Sequence, residues 1–483
     1  MKKTTFILAM MLLLSSLAGC SSGDSETTAV ALSSDAVIAE TEPAETEIQD
    51  DLPEKDFGGP EYRVRSVTYD PNSYTTIFDP AELNGEIVND ALYNRNRSIE
   101  ERFNMVFVAS EDSYDNNFKQ LKEMNIAGDN ALEMVMCINR NAFAAAVDGY
   151  LTNMDRLNYL NLEKPWYSKV INDSMTIDGK LFFAYSDECL QMFESAIVLM
   201  FNKDMMTDLQ LEIPYSIVND GQWTFDLFHR YASAALMDLD GDGSYKKGDQ
   251  FGLVTNIDFF YPSFWIGADT LSVAKNADDI PYFNIPGNER WISSMEYVVQ
   301  LLNENLVYIE APAKRTETVQ YFTQREALFC MSTLGRMPIT RDMEDDMGIL
   351  PLPKYDVAQE DYRSRVIDGW LHVVPATISD PEYVSIIMEA LACESYKNVF
   401  PAYYENFVSH KILRDQESID MMNLIKDTRI LDMGDVQWYE TIRSKYQSVV
   451  EKKNTDFSSV TASVEKAAAK VIDEAVAKIK ELN

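Results

Sequence analysis

The feature that most constrains the fold is an alternation along the chain between a strand-like period of two residues and a helix-like period of about 3.6. Residues 61–69 (EYRVRSVTY), 104–110 (NMVFVAS) and 131–139 (ALEMVMCIN) have the first period, and residues 84–103 and 115–128 have the second. Helices placed between strands act as crossover connections, which parallel strands require. The pattern therefore predicts an α/β lobe with a parallel sheet.

The chain is too long for a single lobe of this kind. Its 483 residues exceed the roughly 250–300 residues at which one hydrophobic core stops growing, so we expect two domains or lobes. Further strands are predicted at residues 179–188 and 195–202, and amphipathic helices at residues 224–237, 290–306 and 458–483. The last of these helices should dock on the surface of the body.

The N-terminus has the pattern of a bacterial secretion signal. Two lysines precede an apolar run from Phe6 to Leu14, which is too short to span a bilayer. The following Leu17-Ala18-Gly19-Cys20 resembles a lipobox, in which the signal is cut before the cysteine and the cysteine carries lipid. We therefore expect residues 1–19 to be removed and Cys20 to anchor an extracellular protein to the cell membrane. A chance cysteine at an ordinary cleavage site is the alternative.

Residues 20–56 are predicted to be a disordered acidic tether. After Cys20 this segment holds eleven acids, one lysine and no aromatic residue, so it cannot bury enough apolar surface to fold. The whole chain has a formal charge of −36, which disfavours binding to nucleic acid or to anionic membrane surfaces. A locally basic pocket is still compatible with this charge.

The most specific chemical motif is the stretch DLDGDGSYKKGD at residues 238–249. Acids at positions one, three, five and twelve, with glycine at six, match an EF-hand calcium loop except that aspartate replaces the closing glutamate. The alternative is a metal-free turn rich in aspartate and glycine. Because the stretch after the loop looks extended, we expect a structural calcium clip and not a sensor. The predicted ligands are Asp238, Asp240, Asp242, the carbonyl of Ser244 and Asp249, with Lys246 at a water-bridged position.

The four cysteines after Cys20 are predicted to be unpaired thiols. They could pair in three ways, but no pair has the spacing of a redox or metal site, and most lie in apolar runs. They are Cys137, Cys189, Cys330 and Cys393.

Catalytic motifs are sparse. The chain has three histidines and lacks metalloprotease, nucleophile-elbow and phosphate-loop motifs. With 78 acids, a carboxylate pair for glycoside hydrolysis could be drawn almost anywhere, so that signal is weak. Aromatic side chains, whose faces stack on sugar rings, cluster in stretches that look irregular. These stretches are residues 258–265, 368–375, 402–407 and 436–443, and Trp370 is a binding candidate on this context alone.

Over nearly all of its mature length, the chain resembles the extracellular solute-binding lipoproteins of bacterial ABC importers, in their sugar-binding branch. The resemblance rests on the order of several stretches: YLTNMDRLNYLNLEKPWY (150–167), TIDGKLFFAY (176–185), LMFNKDMM (199–206), PYSIVNDGQWTFDLF (214–228), MGILPLPKYDVAQEDY (347–362), VVPATISDPEYVSIIMEALACES (373–395) and the run from 401 to 434. It implies an α/β, type II periplasmic-binding-protein-like fold, whose two lobes are joined by several hinge crossings and close on ligand.

The resemblance also implies positions for the lobes and the site. Lobe 1 would hold residues 57–195 plus 348–396, and lobe 2 residues 196–347 plus 397–483. Near Met337, where relatives can place a tryptophan, this chain has LGRMPI, which leaves Arg336 as an additional candidate. The implied ligand contacts are Arg140, Asn141, Asp258, Phe260, Trp438, Tyr439 and Arg443.

The sequence thus predicts a lipid-anchored, monomeric binding protein and not an enzyme. It would capture a carbohydrate, with an oligosaccharide expected, and deliver it to an ABC transporter permease. Two alternatives stay open, a secreted glycoside hydrolase and a surface sugar-sensing subunit.

Overall fold

Strands and helices alternate along the chain, as the sequence periodicity predicts. The computed structural model describes residues 49–68, 76–409 and 412–482. The predicted signal peptide, Cys20 and the predicted tether up to residue 48 lie outside the described residues. The strands are β1 (Glu61–Val67), β2 (Val106–Asp112), β3 (Met134–Ile138), β4 (Ile197–Asn202), β5 (Phe251–Asn256), β6 (Val273–Lys275), β7 (Pro281–Phe283), β8 (Val307–Glu310), β9 (Ala327–Thr333), β10 (Met347–Leu350), β11 (Ser364–Arg365), β12 (Trp370–Val373) and β13 (Arg429–Ile430).

Many helices begin at a polar residue that caps their first turn. The side chain of Asn288, for example, accepts a hydrogen bond from the amide of Trp291. The α-helices are α1 (Ile87–Phe103), α2 (Tyr114–Ala127), α3 (Asn139–Val147), α4 (Lys169–Met175), α5 (Leu190–Glu194), α6 (Lys203–Asp208), α7 (Tyr215–Asn219), α8 (Phe225–Ala235), α9 (Ile257–Gly267), α10 (Glu289–Asn303), α11 (Arg315–Thr323), α12 (Pro381–Glu394), α13 (Phe400–Ser409), α14 (Gln416–Asp427), α15 (Met433–Val436), α16 (Arg443–Glu451) and α17 (Phe457–Glu481). Shorter 3₁₀ segments are Met154–Arg156, Pro312–Lys314 and Leu334–Thr340, and Ser395–Val399 is a π-helix.

Two sheets form the centres of two lobes. The first has the strand order β12-β3-β1-β2, with β1 parallel to β2 and β3 and with β12 antiparallel to β3. The second has the order β10-β4-β9-β5-β8, with β5 parallel to β8 and β9. Every residue of β4 is buried, as expected for a central strand covered on both faces. The predicted α/β class is therefore confirmed.

The chain contributes strands to the two sheets in alternating stretches of sequence. Just after Ser195, where the chain is predicted to leave lobe 1, β4 begins the second sheet at Ile197. The predicted return at Gly348 falls inside β10, which pairs with β4, so the chain rejoins the first sheet only at Trp370. A side chain at Gly348 would clash with the hydroxyl of Tyr215, so β10 can pass here only with glycine. After the predicted departure at residue 396, α13 still packs on α1 of the first lobe.

Two local predictions were wrong because a run of apolar residues can be a strand, a buried helix or a buried irregular segment. Residues 179–188 form no strand; their apolar side chains are buried in an irregular segment that makes only isolated bridges. The aromatic stretch 258–265 is not irregular but lies in α9, whose residues are almost all buried. Residues 370–373 and 402–407 likewise belong to β12 and α13.

Other predictions agree with the structure. The four cysteines after Cys20 are unpaired and buried, and burial raises the pKa of the Cys137 thiol to about 12. Helix α17 covers the predicted C-terminal segment and packs on α3 and β7. The last tether residues, however, contact the body: Arg102 holds the Asp50 carboxylate through bonds of 2.7 and 2.9 Å.

Candidate ligand-binding cleft

A cleft of about 1050 Å³ lies between the two lobes. The carboxyl ends of parallel strands supply much of its wall, which is where open α/β sheets bind ligands. Arg140 follows β3 in the first lobe, while Asp258 follows β5 and Arg315 follows β8 in the second. Thr333, at the end of β9, and residues of the segment 335–341 that follows complete this edge.

Local hydrogen bonds fix the polar groups at these strand ends. Asn256 caps α9 by accepting from the Asp258 amide at 3.2 Å, and its side-chain amide donates to Glu310 O at 3.2 Å. The buried Asp432 carboxylate accepts from the Trp265 indole at 2.9 Å and from the Gly434 amide at 3.0 Å. These contacts tie the segment that carries Asp435 and Tyr439 to α9, so the cleft wall rests on regular elements.

Most of the sequence-predicted binding residues reach the cleft. Its lining includes Arg140, Asp258, Trp370, Tyr439 and Arg443, together with the additional candidate Arg336.

Asn141, Phe260 and Trp438 do not line the cleft. Phe260 is fully buried and packs edge-on against Phe264, with ring centroids 5.4 Å apart. Trp438 is 8% exposed and packs edge-on against Phe143 at 5.3 Å. In both places an adjacent residue lines the cleft instead. Phe259, which precedes Phe260, does so in α9, and Tyr439, which follows Trp438, does so after α15.

Several cleft residues escaped the sequence analysis. Arg315 and Arg341 follow the ends of β8 and β9. Their common position is apparent only once both strands are known to run parallel to β5 in one sheet. Others come from segments distant in sequence. They include Tyr114, Gln191, Glu194, Arg365, Asp368, Tyr403 and Asp435. Asp368 and Tyr403 lie in two of the aromatic stretches named above without being chosen as candidates, and no local pattern marks the rest.

A buried ion-pair network forms the floor of the cleft. Arg365 donates to both oxygens of Asp435, at 2.7 and 3.0 Å, and both side chains are fully buried. Arg443 lies 3.2 Å from Asp435 and 3.6 Å from Asp258. Burial opposes the charge on Arg443, but the Asp435 carboxylate and other nearby groups outweigh burial and raise its pKa. The network therefore favours the charged form of Arg443 and fixes both guanidinium groups in place.

Two arginines lie over aromatic rings at the cleft wall. Arg315 donates to Asp258 at 2.8 Å and lies 5.3 Å from the ring centre of Phe259. Arg443 lies 4.1 Å from the ring centre of Tyr439. Such cation–π contacts hold a guanidinium flat against a ring.

The first lobe contributes a more exposed pair and an aromatic surface. Arg140 bonds Asp368 at 2.5 Å, and 47% of the Arg140 side chain remains exposed. Burial raises the pKa of Asp368 to about 6, although Arg140 opposes this shift. Tyr114 and Trp370 lie beside each other, with ring centroids 5.6 Å apart. The lobe thus offers aromatic faces beside polar groups.

The acidic loop lies away from the cleft, between α8 and β5, as predicted for a helix-to-strand connection. Oxygens of Asp238, Asp240 and Asp242 lie within 4.8 Å of one another. The ammonium of Lys246 contacts two of these carboxylates, including Asp240 at 2.9 Å. Asp249 is buried and does not join the cluster, because its oxygens accept from the amides of Leu239 and Lys246. Ser244 is exposed and donates its amide to Asp242 at 2.8 Å.

Within the described ranges, no helix combines the length and the apolar character needed to cross a membrane.

The chain was compared with protein-family models, with curated proteins and with solved structures. No protein-family model and no curated protein matches the chain. Among solved structures, it is similar to a cyclo/maltodextrin-binding protein complexed with maltotetraose, with a TM-score of 0.54 and 15% identity over 88% of this chain and 98% of that one. It is also similar to the sugar-binding protein MalE from Xanthomonas citri, with a TM-score of 0.61 and 11% identity over 88% and 100% of the two chains.

A third similar structure is the ABC substrate-binding protein Lmo0181 from Listeria monocytogenes in complex with cycloalternan. Its TM-score is 0.50, with 12% identity over 88% of this chain and 100% of that one. All three alignments span nearly the whole length of the matched proteins. The chain therefore has the two-lobed α/β fold of maltodextrin-binding and other ABC sugar-binding proteins, as the sequence resemblance implied.

Proposed function

We propose that this chain is a solute-binding protein that captures a carbohydrate between its lobes and delivers it to the permease of an ABC importer. The observation that carries the proposal is the interlobe cleft of about 1050 Å³, lined by both lobes. Pockets for small ligands usually measure about 300–1000 Å³, so this volume suits an oligosaccharide better than a single sugar ring.

The lining chemistry agrees with a carbohydrate. Tyr114 and Tyr439 offer ring faces to the apolar faces of sugars, and Gln191, Glu194 and Arg140 offer donors and acceptors to hydroxyl groups. A ligand that touched both lobes would bind the closed form better than the open form. It would thereby shift the population toward closure, which is the state a permease can distinguish.

The same proposal includes anchoring at the outer face of the cell membrane. The lipobox-like end of the signal supports it, with Cys20 as the lipidated residue. Metabolic labelling with an alkyne fatty acid should mark the wild-type chain and not Cys20→Ser. Equal labelling of both would contradict lipidation at Cys20.

We propose further that the loop at residues 238–249 binds calcium as a structural clip. The convergence of Asp238, Asp240 and Asp242 supports this proposal. Calcium, which takes oxygen ligands, would replace the Lys246 ammonium that now contacts the cluster. Asp249 would have to exchange a backbone hydrogen bond for the ion, so occupation requires a local change of the loop.

A glycoside hydrolase is the second candidate, and one observation favours it. The Asp368 pKa of about 6 suits a general acid. Against it, Asp368 is bonded to Arg140, and the other cleft aspartates, Asp258 and Asp435, are ion-paired as well.

Calorimetric titration of the mature chain with a panel of oligosaccharides tests the main proposal. We expect one-to-one binding of at least one carbohydrate, recovered unchanged after a day with the protein. Release of shorter sugars would establish the hydrolase instead, and failure of every carbohydrate to bind would overturn carbohydrate capture.

A further inference from the structure

The cleft reverses the charge balance of the chain. The whole sequence has 42 basic and 78 acidic side chains, but the cleft lining has more basic than acidic ones. Its cations are all arginines: Arg140, Arg315, Arg336, Arg341, Arg365 and Arg443. Its acids are Glu194, Asp258, Asp368 and Asp435. The cleft lining thus has an excess of basic side chains in a protein whose formal charge is −36.

The carboxylates do not neutralise these arginines one for one. Asp258 is shared by Arg315 and Arg443, and Asp435 is shared by Arg443 and Arg365. Two carboxylates thus serve three guanidinium groups, which leaves this network with an excess positive charge.

Two arginines of the second lobe are open to a ligand. Arg341 is exposed and makes no ion pair with any residue that the structure describes. Arg315 donates to Asp258 at 2.8 Å, but 38% of its side chain is exposed. Both line the cleft, and α11, which begins at Arg315, packs on the 3₁₀ segment that ends just before Arg341.

Exposed arginines with excess positive charge favour an anionic ligand. A guanidinium presents a planar fork of donors that matches a carboxylate or a sulfate, whereas neutral hydroxyls do not need such a group. Walls of low polarizability concentrate the field of an uncompensated charge in a cleft, and an anion is attracted by it.

We propose that the captured carbohydrate is acidic, with an anionic group bound between Arg315 and Arg341. This inference rests on the proposed function and specifies its ligand class. Uronic acids and sulfated sugars share the required chemistry, and the experiment distinguishes them.

Paired ligands test the charge directly. The mature chain is titrated with trigalacturonate and with its methyl ester, and with a sulfated galactan tetrasaccharide and its desulfated form. We expect the acidic member of at least one pair to bind at least tenfold more tightly, with an affinity that falls as salt is added. A carboxylate-only or sulfate-only preference identifies the source of the charge.

Variants assign the effect to the two arginines. Arg341→Gln and Arg315→Gln should each lose about tenfold in affinity for the acidic ligand. Arg230→Gln, an exposed arginine on α8 outside the cleft, should bind like wild type. Circular dichroism confirms that each variant is folded.

The outcomes separate this inference from the proposed function. Equal binding of charged and neutral forms, or binding of neutral sugars only, would overturn the acidic ligand and leave carbohydrate capture intact. Unchanged affinity in both cleft variants would also overturn it. Failure of every carbohydrate to bind would overturn both proposals.

Discussion

The buried Arg365–Asp435 pair gives the sharpest prediction about stability. Arg365 donates to both Asp435 oxygens, at 2.7 and 3.0 Å, and to the carbonyls of Asp258 and Phe259, at 2.9 and 3.3 Å. Replacing it by methionine removes these bonds and leaves a carboxylate with no exposed surface. Breaking such a pair usually destabilises a protein by about 3–5 kcal/mol. Because Arg443 remains 3.2 Å from Asp435, we expect Arg365→Met to fall near the lower end, about 3 kcal/mol.

Urea unfolding followed by circular dichroism measures this loss. Two further variants make the result specific. Arg365→Met combined with Asp435→Leu should recover most of the stability, since the buried carboxylate that lost Arg365 is gone and Asp258 still lies 3.6 Å from Arg443. Arg363→Met removes the nearby ion pair with Asp269, whose two side chains are 28% and 41% exposed, and should cost less than about 1 kcal/mol. If Arg365→Met also lost less than about 1 kcal/mol, the buried network would not stabilise the cleft floor as we argue.

Three further predictions concern the cleft and the loop. Tyr439→Ala should weaken carbohydrate binding by about 1–3 kcal/mol in calorimetry, whereas Trp438→Ala should mainly lower the unfolding free energy, because Trp438 packs in the core. Burial raises the pKa of Asp368 to about 6, above its unfolded value of about 3.9, so the folded state binds this proton more tightly. Its contribution to stability is therefore present below about pH 4 and is lost as pH rises toward 6, and Asp368→Asn should flatten that part of the urea-unfolding profile. Calcium should raise the melting temperature of the wild-type chain, and Asp240→Ala should abolish the increase.

Each of these predictions has a contradicting result. Equal binding by Tyr439→Ala and the wild type would remove this ring from the site, and an unfolding free energy unchanged in Trp438→Ala would argue against its core role. A pH profile identical in Asp368→Asn would mean that another group titrates in this range. A chelator that left the melting temperature unchanged would argue against the calcium clip.

Sequence periodicity was sufficient for the regular part of the fold. The strand and helix predictions from residue 61 to residue 139 match β1, α1, β2, α2 and β3. Of these, β1, α1, β2 and α2 have both buried and exposed residues, whereas β3 is almost wholly buried and is a short apolar run between two helices. Where a segment is buried on all sides, as in α9, the periodic signal vanishes and helix cannot be told from an irregular apolar run. Residues 179–188 were misread as a strand for the same reason.

The candidate site was predictable only in part. The resemblance located Arg140, Asp258 and Tyr439 near the ends of elements, where both lobes meet. It could not choose between adjacent aromatic residues, since the side that Trp438 or Tyr439 presents to the cleft depends on the packing of the turn that follows α15. The excess of arginines was invisible in sequence because its members lie far apart along the chain, as Arg140 and Arg341 do, and the chain as a whole is acidic.

A crystal structure of the mature chain with a carbohydrate that binds in titration would test the central claim most directly. We predict that one ligand occupies the cleft between the sheets and touches residues of both lobes, such as Arg140 and Tyr439. A ligand bound on the outer surface, or contacts to one lobe only, would contradict capture by lobe closure.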